Sequence, residues 1–90
     1  MEKVVCAAIK FHRVDDMDNW CIYTGKRHWN ALKSMWEDNI KYDKPSHIEG
    51  FMTDADRFVD RYEAAKIAIE AHQIISDDFN GKCLYSEDVW

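Results

Sequence analysis

The chain is poor in the residues that punctuate or specialise a sequence. It has one proline, three glycines and three cysteines in 90 residues. With so little proline and glycine there is no flexible linker, and the G-x-x-x-x-G-K frame of a phosphate-cradling loop is absent. The cysteines Cys6, Cys21 and Cys83 are odd in number and widely spaced, with no C-x-x-C. That argues against a disulfide framework and a structural zinc site, and suits small buried hydrophobes in a reducing cytoplasm. The apolar run Val4–Ile9 is far too short to span a bilayer, and no cleavage pattern follows it. No membrane association is expected. Positive charge is also scarce: 12 basic against 17 acidic residues give a net charge of −5. A duplex nucleic-acid partner, which favours a broad basic face, is therefore not expected. The carboxylates are scattered, with short clusters only at Asp15–Asp18 and Asp77–Asp78. They do not imitate a polyanion, and a small anion in a local basic pocket remains open.

What is present is enough to fold. Hydrophobic residues make up 47% of the chain, with four each of Trp, Tyr and Phe, too many for a disordered segment. One domain, residues 1–90, is expected, burying a little over ~60% of the surface its unfolded chain exposes. Residues 3–11 read as a strand, 12–19 as a polar loop and 20–25 as a second strand stopped by Gly25. Trp29, Leu32, Trp36 and Ile40, with Met35 beside them, follow helical steps and predict a helix over 26–40 capped by Thr24 or Gly25. The stretch 41–47, with Pro45, ends it. Residues 48–53 predict a third strand, 54–57 a turn and Phe58–Val59 a short return strand. Asp60 and Glu63 form a D-x-x-E capping box for a helix over 62–75. That helix is apolar around most of its circumference, so cover on more than one side is expected, from helix 26–40 or a second subunit. A loop at 76–82, a last strand at Cys83–Tyr85 and an anchoring Trp90 complete an α+β fold, a small antiparallel or mixed sheet packed with two helices.

The most informative local feature is Thr24–Trp29, where Lys26, Arg27 and His28 crowd the start of a helix. Cations are unfavourable at the positive end of a helix dipole, and a bound anion would offset them. A solvated helix start that happens to be basic explains the same residues, and the two readings stay open. Arg57 and Arg61 can reach a phosphate or pair with Asp54, Asp56 or Glu63. Gln73 can read a base edge or cap its helix. His12, His28, His47 and His72 share no ligand spacing, so no metal is expected. Nucleophile signatures are missing and no activating partner for His28 can be named, so no enzyme and no cofactor are expected.

Three segments carry a resemblance: G-K-R-H at 25–28, G-F-M-T…R-F-V-D-R-x-E-A at 50–64, and A-x-Q-x…L-Y-S-E-D-x-W from Ala71 to Trp90. Together they resemble the first Thoeris anti-defence family of phage proteins, viral sponges that sequester signalling nucleotides made by bacterial immune enzymes. The resemblance covers most of the chain after Thr24. It implies action in the cytoplasm of an infected bacterial host and a homodimer or higher oligomer of dimers. The implied partner is a small signalling nucleotide, a cyclic ADP-ribose isomer or a cyclic di- or trinucleotide, held without cleavage. Residue by residue, it carries ligand roles to Arg27, His28 and Arg61, and further to Phe51, Gln73 and Ser86. Two departures stand out: the chain is short, and His72 occupies a place where a neutral residue such as Asn or Gly is expected. The competing expectation is a phage protein that inhibits a host protein by direct contact, through the exposed face of helix 62–75 or the acidic loops.

Overall fold

Apolar side chains recur along residues 4–13 and 48–53. In the computed structural model, which describes all residues from Met1 to Trp90, both stretches are strands of one sheet. Strand β1 (Val4–Arg13) lies between β2 (Asp16–Gly25) and β3 (Ile48–Thr53), and β4 (Phe58–Asp60) closes the far edge, giving the order β2-β1-β3-β4. Every pairing is antiparallel, and the architecture is α+β. The segment 12–19, expected as a loop, is strand on both sides of a two-residue turn at Val14–Asp15, with His12 opposite Trp20. The reason is position. β2 is an edge strand exposed along most of its length, so Asp16, Asp18 and Asn19 meet water there at no burial penalty.

Helix α1 (His28–Glu37) covers β1 and β2, and α2 (Arg61–Glu70) covers β3 and β4, both on the same face of the sheet. The N-cap of α1 is Arg27, in extended conformation, rather than Thr24 or Gly25. For α2 half of the expected capping box forms: Asp60 Oδ1 accepts from the Glu63 N–H at 2.8 Å, while the Glu63 carboxylate turns to Arg57 instead of the Asp60 N–H. Both helices stop earlier than their apolar periodicity suggests, for one physical reason. Asn39 and His72 adopt left-handed backbone (φ 54° and 56°). Behind each, a pair of reversed bonds closes the helix: Ile40 N–H to Met35 O with Asn39 N–H to Trp36 O, and Gln73 N–H to Ala68 O with His72 N–H to Ile69 O. These are Schellman closures, in which the left-handed residue turns the chain off the helix axis.

The core splits into two neighbouring clusters. Ile9 and Phe11 meet Ala31 and Met35 of α1; Val4, Ala7, Phe51 and Val59 meet Ala64, Ala65 and Ala68 of α2. Leu84 and Val89 join the second cluster, and Trp90 packs against it. The face that α1 buries is not the expected one. Phe11 packs with Tyr23 and Tyr42 beneath the helix, leaving room only for Ala31 and Met35. Trp29, Leu32 and Trp36 point into solvent. Within the chain α2 is not covered by helix α1 on a second side: its buried residues are the three alanines, and Ile69 is exposed. Cys83–Tyr85 forms no strand. The only regular piece of the C-terminal segment is a 3₁₀ turn at Ser86–Asp88. Leu84 N–H bonds the Arg61 carbonyl, and irregular backbone follows.

Candidate functional site

The start of α1 is set by a close turn out of β2. A Cβ on Gly25 would lie 2.7 Å from Asn30 Cβ and 2.8 Å from the Ala31 nitrogen, so only glycine lets strand and helix approach this closely. Asn30 Oδ1 accepts from the Arg27 N–H at 3.0 Å. His28, the first helical residue, is thereby directed inward, where it is 9% exposed. Its Nε2 lies 2.7 Å from the Gly50 carbonyl oxygen and its Nδ1 lies 2.8 Å from Ser86 Oγ. A carbonyl can only accept, so Nε2 carries the proton and Nδ1 accepts from the serine hydroxyl. Ser86 Oγ in turn faces the His28 backbone N–H at 3.3 Å. Burial pushes the His28 pKa below its ordinary value, outweighing the Gly50 contact, which raises it. His28 is therefore a neutral bridge between α1, β3 and the C-terminal segment. The ring meets Phe51 edge-on at 4.9 Å, and Phe51 faces Trp90 at 6.1 Å.

Two guanidinium groups grip the same segment. Arg27 donates to the Trp90 main-chain oxygen at 2.7 Å, with Glu87 at 3.8 Å. Arg61 donates to the Leu84 carbonyl at 2.7 Å and to Glu49 at 2.6 Å, and lies 4.6 Å from the centre of the Tyr85 ring. The charge of Arg61, whose side chain is 18% exposed, is matched by Glu49. Arg27 is more open: its side chain is 38% exposed, and beside the Trp90 main-chain oxygen it has only the distant, exposed Glu87 carboxylate. Arg57, the other arginine near this motif, pairs with Glu2 and Glu63. Its hydrogen bonds to Glu2, with help from Thr53, hold that carboxyl down at about 2.

Arg27, His28, Phe51, Arg61 and Ser86, spread over 60 positions of sequence, thus converge on residues 84–90. Gln73 stands apart. Its amide clamps the start of β1, accepting from Val4 N–H at 2.9 Å and donating to Val4 O at 2.8 Å. Sequence reasoning missed Glu49 and the Trp90 main-chain oxygen, which no local motif marks. It also missed the sheet face turned away from the helices. There the Lys10 ammonium lies 4.7 Å from the Trp20 ring and 5.6 Å from Phe58, and His12 stacks on Trp20 at 3.7 Å. Alternation of side chains along strands would have found that face, had 12–19 been read as strand.

Hollows open elsewhere on the surface. One of about 380 Å³ is lined by Ile69, His72, Ile74 and Phe79, and one of about 440 Å³ by Trp29, Leu32, Lys33 and Trp36. A third, of about 240 Å³, lies by Arg13 and Asn39. No group of three or more His, Cys, Asp or Glu side chains is placed to hold a metal ion. No helix is long and apolar enough to cross a membrane.

Fold and site together define a small α+β domain whose most conspicuous polar cluster fastens its own C-terminal segment. The chain belongs to a phage family: the family model described as "Phage T4 y16D protein" matches residues 3–90. No curated protein and no solved structure matches it.

Proposed function

We propose that this phage-family protein acts by capture, holding a small signalling nucleotide intact and so withdrawing it from a bacterial defence response. The observation that carries the reading is the convergence of Arg27, His28, Phe51, Arg61 and Ser86 on one patch. These residues come from separate segments and are five of the six that the resemblance to the Thoeris anti-defence sponges marks for ligand contact, Gln73 being the one that lies apart. Within the patch, Arg27 is the group best placed to meet a phosphate. It is the more exposed of the two guanidinium groups, and a phosphate would take a charge-assisted hydrogen bond from it. Arg61, already paired with Glu49, reaches a ligand only by giving up that partner, and His28 supports the patch from beneath. Retention without turnover fits the state of His28. Both ring nitrogens are engaged within the chain, so His28 is not free to serve as an acid or base beside Arg27.

The test is ligand capture by the Arg27→Ala variant, checked for an unchanged circular-dichroism spectrum and urea midpoint. Loss of capture with the fold intact is the expected result; full capture by the variant sinks the assignment. A second reading, direct inhibition of a host protein, is favoured by the apolar hollow at the end of α2 lined by Ile69, Ile74 and Phe79, beside exposed Ile75. Recovery of a stable host complex that ignores added nucleotides would select it.

A further inference from the structure

The two edges of the sheet are finished differently. β4, at one edge, is three residues long and runs straight into α2, so it offers little to an incoming strand. β2, at the other edge, is ten residues long. Its devices against pairing all sit at the turn end: the break in register opposite His12 and Arg13, and the carboxylates of Asp16 and Asp18. From Trp20 to Gly25 the register is unbroken, and there is no charge and no proline. Trp20, Ile22, Tyr23 and Thr24 are all residues that favour strands.

Nothing in the chain pairs with this edge. No backbone group of Asp16–Gly25 bonds outside the β1–β2 ladder except the Asn19 oxygen, which lies 2.8 Å from His12 Nδ1. In an antiparallel pair alternate residues turn their N–H and C=O away from the neighbouring strand. Residues 20–25 therefore keep a row of open donors and acceptors about 20 Å long.

The side chains beside that row say what kind of strand fits. On the open face Trp20 is 46% exposed and Ile22 42%, which suits apolar side chains alongside. Toward the turn, Asp18 takes part in no ion pair, and Asp16 only accepts from the Asn19 amide. Every pairing in the sheet is antiparallel, and a strand added in the same sense brings its C-terminal end to these carboxylates. Asp16–Gly25 contains no cation, so a second β2 paired along its length would leave both acids unanswered.

We infer that β2 accepts an added strand: an extended segment of a partner protein, antiparallel to β2, with alternate apolar residues beside Trp20 and Ile22 and basic residues near its C-terminal end facing Asp16 and Asp18. The inference does not rest on nucleotide capture, because it uses none of the residues that hold the C-terminal segment.

A synthetic peptide of that design, acetyl-Thr-Val-Thr-Val-Thr-Lys-Thr-Lys-amide, tests it when added at millimolar concentration to the full, isotope-labelled chain. NMR and amide hydrogen exchange then read each residue. Alternate amides between Trp20 and Gly25 should shift and exchange more slowly, while those of β3 stay unchanged. The same peptide with Glu in place of Lys should bind about tenfold more weakly, taking two exposed charge contacts at their usual small value. Asp18→Lys, an exposed substitution, should erase that preference. Of two peptides N-methylated on odd or on even residues, one should lose binding and the other keep it, since only one set of amides faces β2. Unchanged β2 amides with the lysine peptide overturn the inference. Equal binding of both N-methylated peptides also overturns it and places the peptide in a side-chain hollow, such as that between Trp29 and Trp36. Protection of β2 that grows with protein concentration in the absence of peptide overturns it in favour of a second copy.

Discussion

Replacing His28 by alanine should remove a large share of the protein's stability while touching no exposed surface. The ring makes two hydrogen bonds, to Ser86 and to the Gly50 carbonyl, each worth about 0.5–1.5 kcal/mol net. Its edge contact with Phe51 adds about 0.5–1.5 kcal/mol. Removal leaves a void between α1 and β3 and an acceptor at Gly50 with one partner fewer. Together the loss should be about 3–4 kcal/mol. At ~0.05–0.15 kcal/mol per residue, that is from about a quarter to most of what a chain this long has in total. Urea unfolding near pH 7.5, followed by tryptophan fluorescence and circular dichroism, reads the loss as a lower midpoint at constant slope. Ser86→Ala should cost about 1–2 kcal/mol. The double variant should cost measurably less than the sum, since both substitutions break the same bond. A loss below about 1 kcal/mol for His28→Ala would show that the ring does not bridge α1, β3 and the C-terminal segment.

Further outcomes follow from the same geometry. Because burial lowers the pKa of folded His28, the unfolded chain binds a proton that the folded chain refuses; stability is full above the ordinary histidine value of 6.5 and falls as pH drops below it. Wild-type stability should thus decline between pH 7 and 5, and His28→Asn should flatten that decline; equal slopes in both proteins would refute the assignment. A separate loss is expected below pH 4.5 as Glu2, depressed to about 2 by Arg57 with help from Thr53, takes up its proton, and Arg57→Gln should reduce it. His72 sits exposed in left-handed backbone at the end of α2, so His72→Gly should stabilise the chain by about 1 kcal/mol, read as a raised urea midpoint. A lower midpoint would mean that the ring itself supports the hollow beside Ile69.

The residues whose roles are local were legible. Ile48–Thr53 is a strand with the expected bounds, and Asp60 with Glu63 announced a helix start that the backbone realises. The need for Asn or Gly at position 72 also has a local cause, the positive φ of a Schellman closure, which His72 tolerates under strain. What escaped depends on the tertiary neighbourhood. Asp16 to Asn19 look like loop residues because hydrophobicity reports burial, and an edge strand is not buried. Trp29, Leu32 and Trp36 look like a core face because periodicity reveals a stripe without saying which way it points. The small Ala31, not the large tryptophans, decided that. At the candidate site, Arg27, His28, Arg61 and Ser86 were named from motifs, and the structure brings them together. Their contacts with Trp90, Gly50 and Leu84 are main-chain contacts, which no side-chain pattern encodes.

The central claim, capture without turnover, is tested most directly by mixing the purified protein with cyclic ADP-ribose isomers and cyclic di- and trinucleotides. Unbound ligand is then filtered away, the retained protein denatured by heat, and what it releases chromatographed. The account predicts an intact nucleotide in simple ratio to protein, and none from Arg27→Ala. Release of a converted product, or no retention of any of these ligands by the wild type, would contradict it.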